Sequence, residues 1–268
     1  LTQGGIMKIL KQIALICLVG LMASLLIAGC SDNKKSTKQL TQGDPNDAGY
    51  QGAKGIVEGQ IDYVLSGLTN GMGFFGGFNP RPHTAGTADT SYFGYNPTSG
   101  WYYYYSDMSE SLYTYWWSDS ARYSNNGTAQ ENPDSTTDKM EFIFYYGLTA
   151  EDTTYNIEFE YQNDWDFTGL DTDTTEINGD GGYSYNYGYG GQHYGFDYTD
   201  SYAAVKAVVD GAHPFAGAVE ANMTGDFVTE QGLAHATWSI KITFYEDYYH
   251  AYVSDGSSYW VWDTPWPA

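Results

Sequence analysis

The sequence predicts an all-β domain: an antiparallel β-sandwich, or a partly closed β-barrel or meander, with one N-terminal amphipathic helix packed on it. Three observations predict it. Tyrosine is in excess, 27 residues beside 12 Phe and 8 Trp, among 32 glycines and many Asp, Asn, Ser and Thr. Aromatic and β-branched residues suit a pleated, half-buried surface, and the small polar residues suit tight turns. Alternation with a period of two recurs: Ile157, Phe159 and Tyr161 share one face of a segment while Glu158 and Glu160 share the other. Ile240, Ile242 and Phe244 oppose Ser239, Lys241 and Thr243 in the same way. Such strands bury one face and wet the other. Finally, beyond residue 91 no helical segment of crossover length separates the strands, so neighbours must pair antiparallel.

In chain order, the first element of the domain is a helix over about residues 50–70. Val57, Ile61, Val64 and Leu68 recur at three- to four-residue spacing, with Ile56 and Leu65 beside them. Gly55 and Gly59 lie on it four residues apart and suggest close approach to the sheet. The glycines of segment 71–77 and the Pro80, Pro82 pair stop the helix and open a loop to about residue 90. Strands follow over 101–106, 111–117, 139–146, 154–162, 172–177, 183–189, 193–198, 202–209, 215–223, 233–245, 248–253 and 259–262, bounded by turn residues. Ile177-Asn178-Gly179 ahead of segment 183–189 reads as a strand, a turn and a returning strand. Trp260, Trp262 and Trp266 read as closing the core. No fixed period links several copies of any segment, so the domain, 49–268, is a single unit and not a repeat array.

Ahead of it the chain is organised differently. Residues 1–6 precede the first methionine and read as an over-extended gene start. From Met7, Lys8 and Lys11 form a positive region, and an apolar stretch runs from Ile13 to about Leu26. It closes in Ile27-Ala28-Gly29-Cys30: a branched aliphatic residue, two small residues and a cysteine. This resembles the lipobox of bacterial lipoprotein signal peptides, over residues 7–30. The resemblance implies cleavage between Gly29 and Cys30, a diacylglycerol thioether on Cys30, and acylation of the freed amine with a fatty acid such as palmitate. Ser31 at the next position implies passage to the outer membrane of a double-membraned envelope. A permanent transmembrane anchor is the rival, but the apolar stretch falls short of the roughly 20 residues that span a bilayer. Two or more acyl chains anchor stably, at about 0.8 kcal/mol per buried methylene, so the folded part needs no membrane-binding surface of its own. Residues 30–48 are polar, lack periodicity and read as the lipidated cysteine with a flexible tether.

Cys17 and Cys30 are the only cysteines, so no disulfide supports the domain. The formal net charge is −22, with 33 Asp+Glu against 11 Lys+Arg. That balance opposes binding to nucleic acid or to anionic lipid, and favours solubility in a crowded envelope.

The remaining motifs are weighed against their structural alternatives. Tyr183, Tyr185, Tyr187 and Tyr189 alternate with small residues, so four rings stand on one strand face about 6.6–7 Å apart. They could stack on sugar or polymer faces, or form an aromatic ladder packed on the next strand. Segments 101–105 and 113–117 carry aromatics on both faces, and there the outward set is a site only if it is grouped. Asp171, Asp173 and Glu176 offer oxygens to calcium, but lack the glycine and the spacing of an EF-hand loop. The five histidines show no short ligand spacing, and neither a nucleophile elbow nor a phosphate-binding loop is present. Glu158 and Glu160 sit two apart on one strand, not across a scissile bond.

The reading is therefore a membrane-attached envelope lipoprotein whose acidic, Tyr-rich β domain binds or builds rather than catalyses, needs no cofactor, and has a glycan or an envelope protein as partner. A carbohydrate- or polymer-binding module should gather aromatics on one exposed surface. A secreted hydrolase should show convergent carboxylates or His, and a lipocalin-like carrier a closed barrel with an apolar interior. Replacement of Cys30 by Ala should abolish incorporation of a fatty-acid probe in metabolic labelling; undiminished labelling would refute the lipid anchor.

Overall fold

A computed structural model describes residues 40–75 and 90–267, apart from 45, 47, 110–112, 152, 154, 190, 191, 209, 210, 212, 230 and 231. The helix, α1, spans Ala48–Phe75, and all thirteen strands belong to one sheet. They are β1 (Thr41–Gln42), β2 (Thr90–Asn96), β3 (Trp101–Ser109), β4 (Tyr113–Asn125), β5 (Thr128–Gln130), β6 (Lys139–Glu151), β7 (Tyr155–Thr168), β8 (Thr174–Tyr189), β9 (Gln192–Val208), β10 (Pro214–Thr229), β11 (Gly232–Phe244), β12 (Tyr248–Ser254) and β13 (Ser258–Pro265). The order is β1-β13-β12-β11-β10-β9-β8-β7-β6-β4-β3-β2, with β5 paired to β4 off this path. Every neighbouring pair except β1 with β13 is antiparallel, so the meander is the form realised among the alternatives expected. Among the described residues the sheet keeps two edges, so they do not form the closed barrel that a lipocalin-like carrier requires.

Several boundaries differ from those the sequence suggested, each for a physical reason. Segments 172–177 and 183–189 are one continuous strand, β8, and Asn178-Gly179 is a bulge in it rather than a turn. Gly179 adopts φ +138°, and a Cβ there would strike the Asp164 carbonyl of β7. The bulge thus mimics the turn chemistry that the sequence displays. Segments 193–198 and 202–209 likewise merge into β9. The helix runs on through Gly71 and Gly73 to Phe75. Gly55 and Gly59 have open space where a Cβ would stand, so they give no close approach to the sheet. Within the expected tether, Thr41 and Gln42 add a short strand parallel to β13, and the Gly43 amide donates to the Tyr259 carbonyl at 2.8 Å.

The register puts most of the large apolar residues on one face. One row across the sheet reads Tyr102, Ala121, Phe142, Trp165, Gly179, Tyr202, Val219, Ile242, Ala251 and Trp262. Ala53, Val57, Ile61 and Val64 of α1 pack into this face as part of a single contiguous core that also holds Met140, Phe167, Val205 and Trp260. Tyr50 meets the Trp262 ring of β13 at 5.3 Å, while Gln60 bonds to Tyr198 and Tyr202 of β9. Ten helical residues, about 15 Å, therefore carry α1 from β13 to β9, across the strands rather than along them. Trp260 is buried, and Trp262 and Trp266 pack on the core, as expected of them.

Candidate functional site

The four tyrosines that the sequence singled out stand on the apolar face. Tyr183 stacks on Tyr198 at 5.0 Å and touches Phe196 and Phe159; Tyr185 stacks on Tyr187, and Tyr187 on Tyr194. Tyr189 ends the strand opposite Gln192. The rings of Tyr183, Tyr185 and Tyr187 are half-buried in an aromatic ladder that runs from strand to strand, so these three serve packing.

The outward face carries a different aromatic group. Register places Tyr92, Tyr105, Ser118, Tyr145 and Gln162 in one row across β2, β3, β4, β6 and β7. The adjacent row reads Gly94, Tyr103, Ser120, Ile143 and Asp164. Four rings are exposed there: Tyr92 at 60%, Tyr103 at 39%, Tyr105 at 38% and Tyr145 at 42%. Small Ser118 and Ser120 on β4 form a floor between the tyrosines of β3 and Tyr145 of β6. Trp116, lying over Gly147, bounds one end of the group, and Arg122, over the Trp101 ring at 5.3 Å, bounds the other. Side chains stand roughly perpendicular to a sheet, so Tyr105 and Tyr145, two strands apart, are walls about 9.5 Å apart at the backbone. A flat ring held about 3.5–4 Å from each of two aromatic faces needs about 7–8 Å. The serine floor and tyrosine walls are themselves uncharged, but Asp107, next to Tyr105 on the same face of β3 and opposite Trp116, stands at one end, and Asp164, Asp166 and Glu160 of β7 lie at the margin. Beyond it the outward face is a lattice of ion pairs, including Arg122 with Glu141, Lys139 with Asp166 at 3.0 Å and Lys206 with Glu176 at 3.2 Å.

Alternation in β3 and β4 sorts these aromatics. Tyr102 and Tyr104 point to the core while Trp101, Tyr103 and Tyr105 point outward; in β4, Tyr115 and Trp117 point inward and Trp116 outward. The unbroken run Trp101–Tyr105 was the signal, and only the register shows that Tyr92 and Tyr145 join its outward half.

The other candidates are dispersed. Asp171 and Asp173 lie exposed in the turn between β7 and β8, whereas Glu176 on β8 is held by Asn178 at 2.8 Å and by Lys206. These hydrogen bonds, Asn178 foremost, keep its carboxyl below the usual glutamate range. The three do not converge, and among the described residues no three His, Cys, Asp or Glu side chains gather to hold a metal. Among the histidines, His235 pairs with Asp226 at 3.0 Å, His250 with Asp263 at 2.7 Å, and His213 stacks on Trp266 at 4.6 Å. Glu158 and Glu160 are exposed on the wet face. Cys30, Gly29 and the rest of the leader lie outside the described residues, as does His83.

Two carboxyls are buried in the apolar face. Asp200 accepts from the Tyr202 hydroxyl at 2.7 Å and the Tyr198 hydroxyl at 3.3 Å, and both phenols also bond to Gln60 of α1. Burial pushes Asp200 up, against the lowering effect of these donors. Burial, then the charge of Asp200, likewise holds the Tyr198 phenol well above its ordinary range. Asp119, between the floor residues Ser118 and Ser120 but facing inward, is 8% exposed, and its Oδ1 has no hydrogen-bond partner. Burial alone pushes it up to about 7.

The chain matches no protein-family model, and neither a curated protein nor a solved structure is detectably similar to it.

Asp119 generates a prediction. Its folded pKa lies above its unfolded one, so the unfolded state releases the proton first as pH rises. Stability should fall between about pH 4 and pH 7 and then level, a loss of roughly 4 kcal/mol from this group. Denaturant titrations of Asp119→Asn should show that segment of the pH profile flattened and a higher midpoint above pH 7. An unchanged profile would contradict the assignment.

Proposed function

We propose that this protein is a lipid-anchored envelope lipoprotein, held in the outer membrane through Cys30, whose outward aromatic group binds a neutral carbohydrate chain without transforming it. The observation that carries the binding reading is the gathering of Tyr92, Tyr103, Tyr105 and Tyr145 on one exposed surface around an uncharged serine floor. Sugar rings offer C–H faces to aromatic rings, and hydroxyl edges to groups such as Ser118, Ser120 and Gln162. Aromatic walls with few, well-placed polar groups are the usual chemistry of such sites. The acidic surroundings and the net charge of −22 select against anionic polymers. The anchor reading rests on the lipobox at Ile27–Cys30.

Affinity electrophoresis of the full chain in gels containing neutral polysaccharides (dextran, galactomannan, hydroxyethyl cellulose) tests the binding reading. At least one polymer should retard it, and Tyr105→Ala or Tyr145→Ala should weaken retardation roughly tenfold, about 1.4 kcal/mol per ring. Equal retardation of the parent and both variants, or no retardation by any of the polymers, would overturn it.

A further inference from the structure

The two edges of the sheet are treated differently. At one end β1 covers β13. At the other, none of the described residues pairs with the outer row of backbone N–H and C=O groups of β2. Proteins ordinarily blunt such an edge with charge, proline, a bulge or a very short strand. β2, Thr-Ser-Tyr-Phe-Gly-Tyr-Asn, has none of these: seven residues with no ionisable carboxylate or cation, no proline and an unbroken register with β3. Every other strand longer than three residues carries at least one Asp, Glu, Lys, Arg or His. Tyr92 is the most exposed large aromatic of the described chain, and Phe93, on the opposite face of the same strand, is 37% exposed.

We infer that β2 is a homodimer edge, pairing antiparallel with β2 of a second copy across a two-fold axis at Phe93. Two features select a second copy over a different partner. The first is charge. Two molecules of net charge −22 repel over most of their surfaces, and β2 is the strand at which they can meet with no like charges opposed. A cationic partner would be drawn instead to the acidic outward face. The second is self-complementarity. The register that pairs all seven residues sets Phe93 against Phe93, Tyr92 against Gly94, Tyr95 against Ser91 and Thr90 against Asn96. Each tyrosine then faces a small residue, and the one ring opposed to a ring lies on the two-fold axis. The interface is isologous, closes on itself and removes the open edge. It also makes the two outward tyrosine groups contiguous, although the inference does not depend on what those groups bind.

Disulfide trapping in membranes expressing the full chain tests it, with the parent chain setting the background from Cys17 and Cys30. Residues directly opposed across an antiparallel pair have Cβ atoms about 4.5–5.5 Å apart, close to disulfide geometry. Phe93→Cys should therefore yield a cross-linked dimer on mild oxidation. Ser91→Cys alone should not, because the two copies of residue 91 lie about 13 Å apart in this register. Phe93→Lys should reduce to background the dimer captured by an amine-independent photo-cross-linker placed at residue 91. Background-level cross-linking of Phe93→Cys, equal cross-linking at 91 and 93, or full capture with Phe93→Lys would each overturn the proposal.

Discussion

Val57, Ile61 and Val64 pressing onto the apolar face of the sheet make the contact on which the rest of the structure depends. A single sheet cannot hide an apolar face by itself; it needs a second layer. Here one helix supplies that layer. Each branched side chain buried from it contributes about 1.5–3 kcal/mol, too little to cover thirteen strands. Much of the remaining cover comes from the sheet's own aromatics. Tyr183, Tyr198, Phe159 and Phe196 stack ring on ring, as do Tyr113, Tyr115 and Trp117. The tyrosine excess is thus largely a consequence of architecture. A phenol shields its neighbours with its ring and still reaches water or a hydrogen-bond partner with its oxygen.

The same constraint accounts for the polar groups inside. Gln60 is a buried polar residue of α1, and it meets Tyr198 and Tyr202, which in turn hold Asp200. An apolar helix face can slide over an apolar sheet at little cost, whereas a buried amide cannot leave its phenols without losing their hydrogen bonds. This network fixes where the helix crosses β9. Asp119 has no comparable support, and its carboxyl is therefore the costlier of the two to ionise.

Much of this could be read in the sequence, though not all. The alternation Ile157, Phe159, Tyr161 against Glu158, Glu160 gave the wet and dry faces of β7, and the spacing of Val57, Ile61 and Val64 gave the helix and its buried side. Strand lengths were harder to read, because Asn178-Gly179 in β8 carries the residues of a turn while forming a bulge. The candidate site depended on cross-strand register, which no local pattern encodes. Tyr183, Tyr185 and Tyr187 have the cleaner alternation, yet they face the core. Tyr92, Tyr103, Tyr105 and Tyr145 come from three strands and share a surface only once β2, β3, β4 and β6 are aligned. The short β1 was hidden for a related reason: two polar residues pair through backbone alone, and only the position of β13 reveals it.

The central claim is that one sheet presents two unlike faces, with the tyrosines divided between them. Tyrosine nitration of the folded full chain by tetranitromethane, read residue by residue by mass spectrometry, tests that division directly. Tyr92, Tyr103, Tyr105 and Tyr145 should be modified first, while Tyr102, Tyr123, Tyr202 and Tyr249 stay protected until the protein unfolds. Nitration of the second group at the rate of the first would contradict the account.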